Sequence, residues 1–163
     1  MSDRRPFART LGVDFGLRRV GAAVSDPGRS IATPLEVYER RDPVQDASHY
    51  RNLVDENDVD RVVIGLPVHT SGQEGELASK AREWGGWLAG VTGLPVFYFD
   101  ERYTSKMADE ILIGSGFKRQ KRKGLRDMLA AQILLQSYLD AGSPETESPL
   151  QPLLDSQDEE TRP

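Results

Sequence analysis

Between residues 61 and 115 the chain alternates strand, helix, strand, helix, and this order restricts the fold more than any other feature. Arg61-Val62-Val63-Ile64-Gly65 is a short β-branched run closed by glycine. Glu74 to Ala89 has helical character, Pro95 to Phe99 reads as a second strand, and Ser105 to Ser115 reads as a second helix. Strands separated by a helical crossover pair in parallel. The N-terminal third has a different rhythm. Thr10 to Val13, Val20 to Ser25 and Ile31 to Tyr38 are apolar runs spaced closely enough for an antiparallel meander, the third weakened by Pro34. A helix is expected over 44–57, with Tyr50, Leu53 and Val54 on one face, and a last one over 125–139. The sum is an α/β fold, a five-stranded mixed sheet with helices on both faces. Residues 10–142 form the domain, 1–9 a flexible leader, and 143–163 an acidic disordered tail rich in Pro, Glu and Ser.

Charge is distributed unevenly. The tail holds six acids and one base, so it carries the whole net charge of −5 and leaves residues 1–142 balanced. Within that balanced body, Lys118 to Arg126 packs six positive charges into nine residues. Such a run reads as a solvated loop or as a phosphate-binding one, because like charges this close repel unless an anion lies among them. The acidic whole-chain charge therefore does not exclude nucleic acid. With no cysteine, disulfides and thiolate metal sites are excluded. No apolar stretch approaches the about 20 residues that span a bilayer, and the expected setting is the cytoplasm, with no membrane partner.

Ligands of such sheets gather beyond the carboxyl ends of parallel strands. Asp14 directly follows one strand and Glu101 follows another by one residue, so both emerge at one edge if those strands are parallel. Either acid alone would be read as facing water. Asp127 is harder to dismiss. It falls in the first turn of the expected last helix, on the stripe of Ala130 and Leu134, where an ionised carboxylate is costly unless paired or metal-bound. An acid there also complements the helix dipole. Three carboxylates at one edge suit hard divalent cations, and two such ions about 4 Å apart can activate water against a phosphodiester and stabilise the leaving oxygen. Neither His49 nor His69 has a partner at metal-ligand spacing. Trp84 and Trp87, three apart, read as a core-facing helix stripe rather than a base-stacking platform.

Four blocks, in order, resemble a known family. They are Leu11 to Asp26 (LGVDFGLRRVGAAVSD), Val63 to Pro67 (VIGLP), Asp100 to Ser105 (DERYTS) and Asp127 to Leu139 (DMLAAQILLQSYL). The family is the YqgF type, pre-16S rRNA nucleases that are also described as Holliday junction resolvase-like. The resemblance implies a ribonuclease H-like fold and a hydrolase acting on phosphodiesters with Mg²⁺ or Mn²⁺, two ions expected. The implied role is trimming of precursor 16S rRNA during ribosome biogenesis. Carried over by motif, Asp14, Glu101 and Asp127 are the catalytic, metal-binding acids, with Asp100 supporting. Arg19 stands at the family's basic position, for phosphate contact or for a salt bridge to Asp26. Arg102 is structural or substrate-contacting, and Lys121, Arg122 and Lys123 are expected on the substrate. Tyr103 and Ser105 depart mildly from the pattern. Ala130 stands where true bacterial junction resolvases carry a further acid. RNA is thus the expected partner and branched DNA the second, with a weak homodimer as the assembly. The rival readings are a DNA junction nuclease and a non-catalytic RNA-binding assembly factor. The first block also resembles the phosphate loop of actin-like ATPases, but those close two such domains around a nucleotide.

Overall fold

The computed structural model describes residues 7–67, 71–102 and 119–145, with only the backbone of 119–124. Its elements are β1 (Arg9–Asp14), β2 (Arg19–Ser25), β3 (Ala32–Glu39), α1 (Pro43–Glu56), β4 (Val59–Leu66), α2 (Glu76–Thr92), β5 (Val96–Asp100) and α3 (Arg119–Asp140). The five strands form one sheet in the order β3-β2-β1-β4-β5. β1, β2 and β3 pair antiparallel, and β4 runs parallel to both β1 and β5, as the two rhythms of the sequence require. Pro34 is accommodated because β3 is an edge strand. The register slips between Ala22 and Ala23, whose partners are Glu36 and Pro34, so Leu35 is the extra residue of a bulge.

Period-two alternation divides the core between the two faces. Leu11, Val13, Val62 and Ile64 pack with Tyr50, Leu53, Trp84 and Leu88 beneath α1 and α2. Ala23, Val63, Leu135 and Tyr138 pack beneath α3 on the other side. Trp84 lies buried in the first layer as expected, while Trp87 is only half-buried against it; Phe15, Trp84 and Trp87 stand ring to ring at 5.4 and 6.0 Å. Gly85 lets α2 approach β5, since a Cβ there would fall 2.3 Å from the Tyr98 hydroxyl.

Three expectations need correction. The last helix spans Arg119–Asp140 rather than beginning at Leu125, so residues 119–126 of the basic run are helical rather than a loop. Arg, Lys and Gln are strong helix formers and one Gly124 costs only about 1 kcal/mol, so charge density did not break the helix. Asp127 consequently lies in the third turn, where the N-terminal dipole does not explain it. Residues 8 and 9 also do not belong to a flexible leader: Ala8 is buried, and Arg9 opens β1 with its amide on the Asp58 carbonyl at 2.9 Å. At the other end, residues 143–145 are docked. The Tyr138 hydroxyl donates to the Pro144 carbonyl (2.8 Å), and Arg61 pairs with Glu145 (2.9 Å). The helix expected over 105–115, His69, Tyr103, Ser105 and the tail beyond 145 lie outside the described residues, as do the side chains of Lys121, Arg122 and Lys123. His49 is partnered by Glu36 at 2.7 Å and stacks on Tyr38, which accounts for it without a metal.

Candidate active site

Asp14 ends β1, the strand at which the sheet changes from antiparallel to parallel pairing. Gly12 on the same strand abuts Leu135 of α3, so by alternation Asp14 also faces α3. At the end of β5, Phe99 packs on Tyr138 of α3 while Tyr98 points to the opposite layer. Alternation then turns Asp100 away and brings Glu101 to the Asp14 face. The Glu101 amide extends the ladder by donating to the Leu66 carbonyl at 3.2 Å. A two-residue period therefore decides which of two adjacent acids enters the site.

Glycines on both sides of Asp14 make the room. Gly21 is its register partner on β2, and Val13 pairs with Ile64, which sets Gly65 beside it on β4. A Cβ on Gly65 would stand 2.2 Å from Glu101 Oε2 and 2.8 Å from Leu134 Cδ2. On Gly21 it would stand 2.4 Å from the Asp127 carbonyl oxygen. The missing side chains thus form a trench across the sheet, into which Glu101 settles from one end and the Asp127 turn of α3 from above.

Asp14 and Glu101 lie within hydrogen-bonding reach of one another. Burial, and then the charge of Asp14, push the Glu101 carboxyl up to about 9. Burial raises Asp14 to about 6 despite its bond from Glu101, and Asp127 adds repulsion that Arg126 opposes. Burial and the closeness of the two carboxyls favour a proton held between them, so the pair titrates as a unit. Glu101 Oε2 is buried with no hydrogen-bond partner among the described residues, an expensive state for a carboxyl oxygen. Among the described residues no three carboxylates or imidazoles close into a finished metal cage: Asp14 and Glu101 meet, while Asp127 acts on Asp14 as a nearby charge. An orphaned buried oxygen, a paired acid and a third carboxylate on the same side are nonetheless the donor set a hard cation takes.

The basic residues divide. Arg102 is bound to Asp100, with its Nε on Oδ2 at 2.6 Å and its amide on Oδ1 at 2.9 Å, and its side chain is only 9 % exposed. It locks the strand end and so braces Glu101. Arg19 is exposed and makes no bridge to Asp26, whose carboxylate instead accepts from the Ser30 and Ile31 amides at 2.8 Å. Sequence reasoning missed the glycine trench. Its signal was present in the glycines of Gly12-Val13-Asp14, Val20-Gly21 and Ile64-Gly65, but only the register shows that they flank one carboxylate.

A family model described as RuvX, Holliday junction resolvase, matches residues 8–141. A protein of Dictyoglomus thermophilum named "Putative pre-16S rRNA nuclease" is 39 % identical over 138 residues, covering 85 % of this chain and 99 % of its own. Proteins of the same name are 41 % identical over 135 residues in Agathobacter rectalis (81 % and 94 % of the two chains) and 42 % over 137 in Lactococcus lactis subsp. lactis (83 % and 96 %). Among solved structures, the Fowlpox virus resolvase in complex with substrate Holliday junction DNA matches with a TM-score of 0.52 at 16 % identity. That match covers 83 % of this chain and 99 % of that one, and is a likeness of fold alone.

Proposed function

This chain belongs to the RuvX family, and we propose that it is a divalent-metal-dependent nuclease that trims the 5′ end of precursor 16S rRNA. One observation carries the metal-dependent reading: the buried, unpartnered Oε2 of Glu101, held against Asp14 over the gap at Gly65. Asp14, Glu101 and Asp127 would hold Mg²⁺ or Mn²⁺, two ions being the expected complement. When bound, the metal supplies Lewis-acid stabilisation of the phosphodiester and a nucleophilic water at neutral pH. The protein's own residues set the conditions for that chemistry. Asp14 and Glu101 give up their shared proton when the site is filled, Arg102 keeps Glu101 in place through Asp100, and the trench floor excludes competing side chains. Arg19, exposed at the start of β2, would contact a substrate phosphate, as would Lys121, Arg122 and Lys123 in the first turns of α3.

The names of the relatives support RNA as the substrate, with branched DNA as the other nucleic acid the family description brings in. Ala130, buried where a junction resolvase would carry a further acid, supports trimming over junction cleavage. The cytoplasm is the fitting location for such a role, and among the described residues no helix is long and apolar enough to cross a membrane. The test incubates purified protein with precursor 16S rRNA and, separately, with a four-way DNA junction in Mn²⁺. Cleavage of the rRNA that Asp14→Asn abolishes without unfolding is expected. Undiminished cleavage by that variant would remove the carboxylates from the mechanism, and cleavage of the junction alone would reassign the substrate.

A further inference from the structure

On the opposite face of β1 from the carboxylates, the same strand end opens into a cleft of about 400 Å³. Phe15 directly follows Asp14, so alternation along the strand sends one residue to each face. Phe15 and Leu17 form one wall, Arg40 and Arg41 a second, and Trp84 and Trp87 of α2 the third. The floor is aromatic, through the Phe15–Trp84–Trp87 stack, and Leu17 at the rim is 55 % exposed.

The rim is basic. Arg40 is fixed, its guanidinium 5.3 Å over the Phe15 ring and donating to the Leu17 carbonyl at 3.1 Å. Arg41 is exposed, and its side chain makes no ion pair or hydrogen bond among the described residues, while Lys80 of α2 completes the basic lining and pairs with Glu76 at 3.3 Å. Of the two acids lining the cleft, Asp46 is turned inward, accepting from the Tyr38 hydroxyl at 2.7 Å and the Arg41 amide at 3.0 Å. Only Glu83 is left at the edge. An aromatic floor beside a basic rim of Arg40, Arg41 and Lys80 suits a ligand that joins a flat π-face to a phosphate, as a single-stranded nucleotide does. The strand such a ligand belongs to is the one the carboxylates would cleave, one residue away along β1.

We propose that this cleft is a second nucleic-acid contact, taking one unpaired nucleotide of the substrate strand with its base against Trp87 and its phosphate at Arg41. The proposal rests on the nuclease reading above. It gives the turn Gly16 to Arg19 a purpose, as the corner around which the strand passes from one face of the sheet to the other.

Trp84 and Trp87 are the chain's only tryptophans, so its intrinsic emission reports on this cleft. Titration of the full chain with hexaadenylate in EDTA is expected to quench that emission saturably, with the midpoint given by anisotropy of the end-labelled oligonucleotide. Arg41→Ala is expected to weaken binding about tenfold and to flatten the log–log salt dependence by about one phosphate. Trp87→Leu is expected to weaken it about tenfold through lost stacking, and Asp14→Asn to keep the quench. Binding seen by anisotropy with unchanged emission, or an Arg41→Ala variant with unchanged affinity, overturns the cleft and leaves the nuclease reading standing. Quenching by an acidic aromatic peptide but not by the oligonucleotide also overturns it, in favour of a protein partner. Absence of both oligonucleotide binding and rRNA cleavage would remove both readings together.

Discussion

Gly65 is the residue on which the site geometry depends most. A methyl group there would meet Glu101 Oε2 at 2.2 Å and Leu134 at 2.8 Å, so the carboxylate must leave its place beside Asp14. Gly65→Ala is expected to cost about 1–3 kcal/mol by overpacking and to reduce cleavage about a hundredfold through misplacement, measurable by urea titration and by initial rates on rRNA. Rates unchanged by the methyl would mean that Glu101 is not where the chemistry occurs. The shared proton gives a second prediction at this scale. The unfolded chain releases the Glu101 proton near the ordinary value of 4.5, whereas the folded one keeps it up to about 9. Below 4.5 both states hold the proton. Between 4.5 and 9 only the folded state does, so the stability this proton confers is complete at the acid end and is lost as pH rises through the window. In metal-free protein, urea midpoints of the wild type relative to Glu101→Gln should therefore fall from pH 5 to pH 9. A flat difference would mean that the two acids do not share a proton.

At the scale of elements, the antiparallel meander and the parallel crossover were legible from residues alone, whereas the choice of Glu101 over Asp100 came from the motif resemblance, and alternation along β5 supplies its structural reason. The start of α3 was not. Lys118 to Arg126 looks like a loop because its charge is dense, but helix propensity is set by side-chain geometry and is high for Lys, Arg and Gln. The consequence falls on Asp127, now in the interior of a helix with no capping role. Asp127→Ala is expected to leave metal-free stability unchanged or to raise it by roughly 0.5 kcal/mol, as alanine is the better helix former, while abolishing cleavage. Thermal unfolding and the rRNA assay read the two effects separately. A large loss of stability would instead make Asp127 a buried structural partner. The glycine trench was illegible for a different reason: three glycines on three strands become one feature only once the register is known.

Over the whole molecule, the balanced body and acidic tail of the sequence take on a structural relation. Arg61, buried at the start of β4 and 5.5 Å over Phe97, has no hydrogen-bond partner for Nε and Nη1 among the described residues and reaches Glu145 through Nη2. The first residues of the tail thus close the end of the sheet opposite the carboxylates. Because Glu145 is largely exposed, Glu145→Gln should cost only about 1 kcal/mol, read as a shift of the urea midpoint; no shift would make the contact incidental. The central proposal concerns the other end, where Asp14 and Glu101 would form a cation site and release a shared proton on binding metal. Metal binding to such a pair must release that proton. Calorimetric titration of Mn²⁺ at pH 7, in buffers of differing ionisation enthalpy, measures the release directly. Binding accompanied by about one proton released, and lost in Glu101→Gln, is the predicted result; binding with no proton released, or undiminished in Glu101→Gln, would contradict it.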